Sequence, residues 1–134
     1  MTDVEARLLV PGFAHGEAAV LDEPLSLWGG MDPATGRVID RRHPQLGREL
    51  AGKVLVMPSG RGSSSSSSIL AEAIRAGTAP AAVLLQEPDP IIVLGAVVAE
   101  ELYGRSIPVG VVGPGAIGDG DVVQIDGSTI RTIP

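Results

Sequence analysis

Lys53-Val54-Leu55-Val56-Met57 runs into Pro58-Ser59-Gly60-Arg61-Gly62-Ser63-Ser64-Ser65-Ser66-Ser67-Ser68 and then into Ile69-Leu70. The opening residues read as a strand, because branched and apolar side chains follow one another without a polar break until Pro58 ends the run. Beyond the serines, Ile69, Leu70, Ala73 and Ile74 recur at helical spacing while Glu72 and Arg75 fall on the other face. Arg75-Ala76-Gly77 puts a cation in the last turn and a glycine just past it, which stops a helix. A helix that short depends on packing against a sheet. A serine run is also the composition of a flexible linker. Cutting the chain there would leave two pieces, each below the ~70 residues at which one core becomes adequate. The run is therefore read as a built turn between a strand and a helix.

Moving outward, Ala81–Leu85 is the next strand, and Asp89-Pro90 opens a helix over Ile91–Leu102, with Asp as cap and Pro at the first helical position. Gly104 ends it, and Pro108–Val112 is another strand. Strand–helix–strand crossovers make parallel neighbours, so the centre of the sheet should be parallel. On the N-terminal side, Ala6–Val10 and Gly16–Leu21 read as strands, with Pro11-Gly12 and His15-Gly16 as punctuation. Leu25–Trp28 leads into the loop Gly29-Gly30-Met31-Asp32-Pro33-Ala34-Thr35-Gly36, and residues 41–50 read as an irregular connection. Near the C-terminus, Gly118-Asp119-Gly120-Asp121 is a turn, and Val122–Ile125 should pair with Thr129–Ile133 across Asp126-Gly127. The fold class is mixed α/β, a single domain over residues 1–134, parallel in the middle and antiparallel at its ends.

The chain has 134 residues, 44% of them apolar, so it is a folded domain and not a disordered segment. Only 2% are aromatic, so the core must be built from Val, Ile, Leu and Ala. Ten basic against sixteen acidic residues give a net charge of −6, which excludes the electrostatic footprint of a nucleic-acid binder. With no cysteine, this chain has no disulfide, no thiolate catalysis and no cysteine-bound metal. No apolar run approaches a membrane span and the acidic start lacks the regions of a signal peptide, so the expected location is the cytoplasm.

The serine tract carries the chemistry. Gly60 and Gly62 let backbone approach a ligand, and the start of a helix aims free N–H groups and a positive dipole end at the same place. Arg61 adds a planar cation suited to a carboxylate or phosphate, and Ser63 and Ser64 add hydroxyls. One serine can cap a helix; six in a row cannot all do so. A nucleotide-binding loop would need a lysine that is absent, and a hydrolase elbow would need a closing glycine where Ser66 stands. What remains is an anion site with a serine beside an arginine, where N–H groups and a cation can stabilise an alkoxide. Gly29, Gly30 and Asp32 either line the same cleft or make an ordinary turn, and His43 either touches a ligand or serves as a hydrogen-bonding residue. His15 reads as structural. Glu87, Asp89, Glu100 and Glu101 read as a solvated acidic face, and Trp28 as either core or the anchor of a partner interface.

Taken in order, Gly16-Glu17-Ala18, Gly29-Gly30-Met31-Asp32-Pro33 with Thr35-Gly36 and Ile39-Asp40, His43 with Gly47, Gly60-Arg61-Gly62-Ser63, Asp89-Pro90-Ile91 and Gly95-Ala96-Val97-Val98-Ala99-Glu100 cover nearly the whole chain. This set resembles the small subunit, or swivelling domain, of the aconitase X hydro-lyases. The resemblance implies a swivelling β/β/α domain with a small barrel-like mixed sheet flanked by helices. It implies an aconitase X large subunit as partner, carrying iron or an iron–sulfur cluster, with no cofactor on this chain. It also implies that Ser63 is the proton acceptor in dehydration of a small anionic hydroxy acid, with Gly60, Arg61, Gly62 and Ser64 on the substrate. Of the family's two branches, cis-3-hydroxy-L-proline dehydratase is favoured over mevalonate 5-phosphate dehydratase. A non-catalytic module that holds an anion with the same turn is the alternative.

Overall fold

A computed structural model describes residues 1–133. Strands β1 (Thr2–Val4), β2 (Ala6–Val10) and β3 (Gly12–Val20) come first, followed by a single kinked turn α1 (Leu27–Gly30). The centre is β4 (Val54–Met57), α2 (Ser66–Ala76), β5 (Ala82–Leu85), α3 (Pro90–Tyr103) and β6 (Val109–Val112), and the chain closes with β7 (Val122–Gly127) and β8 (Thr129–Ile133). The strand order is β1-β8-β7-β3-β4-β5-β6-β2 in one eight-stranded sheet. β3, β4, β5 and β6 are mutually parallel, and every pairing outside them is antiparallel. This is the expected mixed, barrel-like sheet flanked by helices.

Every residue of β4 and β5 is buried, because the sheet carries a core on each face. Successive strand residues point to opposite faces. Leu55, Met57, Val83 and Leu85 pack with Ala19, Leu21, Leu70, Ile74, Ile92 and Ala96 under the helices. Val54, Val56, Ala82 and Leu84 pack with Val123, Ile125 and Ile130 inside the curl of the sheet. β3 joins the two regions: Gly12–Glu17 pair with β7, and Ala18–Val20 pair with β4.

Three boundaries differ from the sequence reading. β3 begins at Gly12 and not at Gly16, because Phe13, His15 and Glu17 alternate outward in an unbroken strand. Gly16 is no punctuation: a Cβ there would lie 2.7 Å from the Gly52 carbonyl oxygen, so the position needs a glycine within the strand. Thr2–Val4 form an edge strand on β8 that the short acidic start does not announce. The last hairpin turns one residue later than expected, at Gly127-Ser128, where Gly127 has φ +68°. The Asp89 cap holds as read, with Oδ1 accepting from Ile91 N and Ile92 N at 2.9 and 3.3 Å, and α2 starts three residues before Ile69, at Ser66.

The two long helices pack side by side on one face of the sheet, and a glycine sets their separation. A Cβ on Gly95 would lie 2.9 Å from the Ser67 carbonyl and 3.1 Å from Leu70. G95A should destabilise the fold by about 1–3 kcal/mol through overpacking, although helix propensity alone favours alanine. Urea denaturation reads this directly, and a stabilised variant would show that the helices can separate without loss.

The loop after β6 is tied back to the sheet by Asp119, whose Oδ1 accepts from Val20 N at 2.9 Å and from the Arg48 guanidinium. Partial burial works against the charged carboxyl, but the Arg48 and Val20 bonds outweigh it and hold Asp119 below the ordinary carboxylate range. A carboxyl depressed in the fold stabilises it above the usual aspartate pKa of about 3.9, and that contribution disappears as pH falls through the folded value. The side chain is 55% exposed, so screening limits the contribution to about 1 kcal/mol or less. D119N should lower the urea midpoint near neutral pH, and the difference from the parent should shrink as pH falls below the usual aspartate pKa of about 3.9.

Candidate functional site

After Met57 the chain leaves the sheet at its carboxyl edge, where ligands bind in open parallel sheets. Gln86 N donates to the Pro58 carbonyl at 3.1 Å, so the exits of β4 and β5 are held together for one residue beyond the strands. Gly60 forms an isolated parallel bridge with Leu25, which brings the segment before α1 alongside. The Gly60–Ser64 stretch then folds into the start of α2. Ser63 Oγ accepts from Ser65 N at 3.3 Å, and the Ser63 carbonyl accepts from Ser66 N at 3.0 Å. The cap residue Ser65 makes no side-chain cap bond and the first turn of α2 holds no acid. The positive end of that helix is therefore uncompensated by any carboxylate on the helix itself.

A second βα turn stands next to this one. Asp89 caps α3 through Oδ1, while its Oδ2 lies so close to Gly60 that a Cβ on that glycine would be 2.3 Å away. Together, Gly60, Arg61, Gly62, Ser63, Ser66 and Asp89 line one depression floored by Leu25, Leu27, Ile91 and Ile92. It holds about 10 Å³, the space of a single water and far less than an organic acid. Arg61 is exposed and makes no ion pair among the described residues.

Of the residues singled out from the sequence, the structure brings Gly60, Arg61, Gly62 and Ser63 together. Ser64 is exposed and does not line the depression, and its carbonyl accepts from Ser67 Oγ at 2.9 Å. Gly29, Gly30, Asp32 and His43 do not line the depression; Gly30 packs on Leu25 of its floor, and His43 holds the chain just before it at Glu23. Asp32 Oδ1 accepts from Ala34 N at 2.9 Å, an Asx turn. Gly30 is buried against Leu25, and its carbonyl accepts from Ile39 N. His43 is 5% exposed: Nδ1 accepts from Gln45 N at 3.0 Å, which leaves Nε2–H to donate to the Glu23 carbonyl at 3.2 Å. Its ring nitrogens are thus both engaged within the chain. Trp28 is 57% exposed, so it is not core. Its backbone N–H donates to Ser66 Oγ at 3.2 Å, which puts it beside the start of α2.

Two site residues escape the sequence reading. Ser66 is buried and anchors Trp28; nothing in a run of identical residues distinguishes it. Asp89 is half-buried, which corrects its placement on a solvated acidic face, while Glu87, Glu100 and Glu101 are exposed as read. A signal for Asp89 was present: residues just past the ends of adjacent parallel strands become neighbours.

A mixed, curled sheet that presents a glycine–arginine–glycine–serine turn beside two helix starts belongs to the class of swivelling β/β/α domains. The family model for the aconitase X swivel domain matches residues 3–132, and the chain belongs to that family. It is 55% identical over 107 residues to the cis-3-hydroxy-L-proline dehydratase of Pseudomonas aeruginosa, covering 80% of this chain and 18% of that protein. It is 44% identical over 97 residues to the phosphomevalonate dehydratase small subunit of Methanothermobacter thermautotrophicus, covering 72% of this chain and 74% of that one. The crystal structure of Thermococcus kodakaraensis aconitase X in its holo-form superposes with a TM-score of 0.89 at 31% identity, over 100% of both chains. The chain thus spans about a fifth of the cis-3-hydroxy-L-proline dehydratases it matches and most of the phosphomevalonate dehydratase small subunit.

Gly60 and Gly62 make a matched pair for testing the site's geometry. A Cβ at Gly62 meets nothing within 4 Å, whereas at Gly60 it meets Asp89 and Ile92. G60A should cost about 1–3 kcal/mol, and G62A should stay within about 0.5 kcal/mol of the parent. Equal urea midpoints for the two variants would show that Asp89 does not sit where the structure puts it.

Proposed function

We propose that this chain is the swivelling part, or small subunit, of an aconitase-X-type hydro-lyase, completed by a large subunit and acting on cis-3-hydroxy-L-proline. The observation that carries the reading is the Gly60-Arg61-Gly62-Ser63 turn at the carboxyl edge of the sheet, in a chain of that family. The higher identity to the hydroxyproline enzyme than to the phosphomevalonate one favours the first substrate.

The site is half a site. Its depression admits one water-sized group, so the substrate must be enclosed between this surface and the partner. Arg61 faces solvent there as a planar cation for the substrate carboxylate. Ser63 Oγ takes the proton from the carbon next to the departing hydroxyl, and the start of α2 favours the negative charge that this oxygen carries. Closure of the swivelling domain on its partner excludes water.

The iron or iron–sulfur cluster that the family implies does not fit the donors of this chain. There is no cysteine, both ring nitrogens of buried His43 are engaged, and no group of three His, Asp or Glu side chains converges among the described residues. We place that group on the large subunit. No helix among the described residues is long and apolar enough to cross a membrane, and we assign the enzyme to the cytoplasm.

With the large subunit present, S63A should fold and assemble like the parent while turnover of cis-3-hydroxy-L-proline falls by about 10²–10⁴-fold. Activity within twofold of the parent would remove Ser63 from the chemistry and leave an anion-binding module. Loss of water from mevalonate 5-phosphate alone would move the chain to the other branch.

A further inference from the structure

We propose that Asp89 positions Ser63 and accepts its hydroxyl proton during the reaction, an inference that rests on the dehydratase reading above. A serine can take a proton from carbon only if its own hydroxyl proton leaves, before or during the transfer. Arginine and helix N–H groups stabilise the resulting charge but accept no proton. The site therefore needs an acceptor within one hydrogen bond, or one bridging water, of Ser63.

Asp89 is the one carboxylate among the groups lining the depression. Its two oxygens are differently employed. Oδ1 closes the first turn of α3 through Ile91 N and Ile92 N. Oδ2 makes no hydrogen bond among the described residues and lies against the Cα side of Gly60. Asp89 and Ser63 both line the depression, which has room for about one water, and in the proposed step that water bridges them. Ser63 Oγ accepts from Ser65 N and donates to no protein acceptor among the described residues, so its O–H is free to donate to that water.

The proton balance is complete. The substrate C–H bond breaks and its proton goes to Ser63 Oγ. The hydroxyl proton of Ser63 passes to the bridging water, and a proton of that water passes to Asp89 Oδ2. The electron pair of the C–H bond forms the new double bond as the hydroxyl leaves on the partner's side. Return of the proton from Asp89 to bulk water resets the site. The charged groups around Asp89 are Arg61 across the depression and Glu87 two residues before it; the start of α2 and the Leu25–Leu27 segment contribute only serines and apolar side chains.

Two measurements test this. In the 134-residue chain, NMR titration should show the Gly62 and Ser63 amide resonances following the Asp89 carboxyl, and D89N should abolish that dependence. Resonances that ignore the titration, or behave alike in D89N, overturn the placement. In the assembled enzyme, D89N keeps a capping oxygen, so its urea midpoint should stay near the parent's while kcat falls by about 10²-fold or more, KM changes less than about twofold, and the acid limb of kcat/KM against pH disappears. A D89N enzyme with parental kcat, or with the acid limb intact, overturns the proton step. If D89N fails to fold, D89S supplies the cap without a carboxylate and must show the same loss. Should S63A also retain full activity, the failure lies with the role of Ser63, and the NMR titration still decides whether Asp89 faces the turn.

Discussion

Burial of β4 and β5 on both faces is the constraint from which the rest of the molecule follows. A strand with a core on each side cannot lie at an edge, and it needs a neighbour on either hand to satisfy its backbone groups. Parallel pairing in turn requires crossover connections: α2 and α3 supply those from β4 to β5 and from β5 to β6 on one face, and residues 21–53 supply the one from β3 to β4. The opposite face is closed by the curl of β3 into β7 and β8, which brings Val123, Ile125 and Ile130 over Val54, Val56 and Leu84. A polar side chain at any of these strand positions would be stranded between two dry layers, with no solvent within reach.

The same constraint places the site. Two adjacent parallel strands end at the same level, so the turns that follow them touch, and here one turn is glycine-rich while the other begins with a capping aspartate. The approach of Asp89 Oδ2 to Gly60 is possible only because that residue has no side chain. The result is a small polar depression at the base of two helices, with hydroxyl, guanidinium and carboxylate around it. It is too small to enclose a substrate, and in the proposed function a partner surface completes it.

How much of this the sequence discloses depends on the range of the interaction. The order of β4, α2, β5, α3 and β6 is legible because apolar runs, helical spacing, the Asp89-Pro90 start and the Gly77 and Gly104 stops are all local. The site turn is legible for the same reason: Gly60 to Ser63 are contiguous. The edge strand β1 is not, since Thr2–Val4 are held by pairing with residues some 130 positions away. Gly16 misleads because its glycine answers to the Gly52 carbonyl and not to a turn. His43 is ambiguous in the sequence for a similar reason: one of its two partners, the Glu23 carbonyl, lies twenty residues back.

The serine run shows how little low complexity in sequence says about disorder in structure. Ser63 receives the Ser65 N–H, Ser66 is buried under the Trp28 N–H, Ser67 returns its hydroxyl to the Ser64 carbonyl, and only Ser64, Ser65 and Ser68 are exposed. A flexible linker would have no such division. Small side chains suit the run because α3 approaches closely through Gly95, a Cβ on which would lie 2.9 Å from the Ser67 carbonyl. Hydroxyls suit it because each can accept or donate within one turn, replacing a cap that the Ser65 side chain does not provide. Among them Ser63 is the one that combines partial burial with a place on the depression and an acceptor lone pair already spoken for. In the proposed reaction its chemistry depends on where its remaining proton goes, and the neighbouring βα turn supplies the only carboxylate lining the depression.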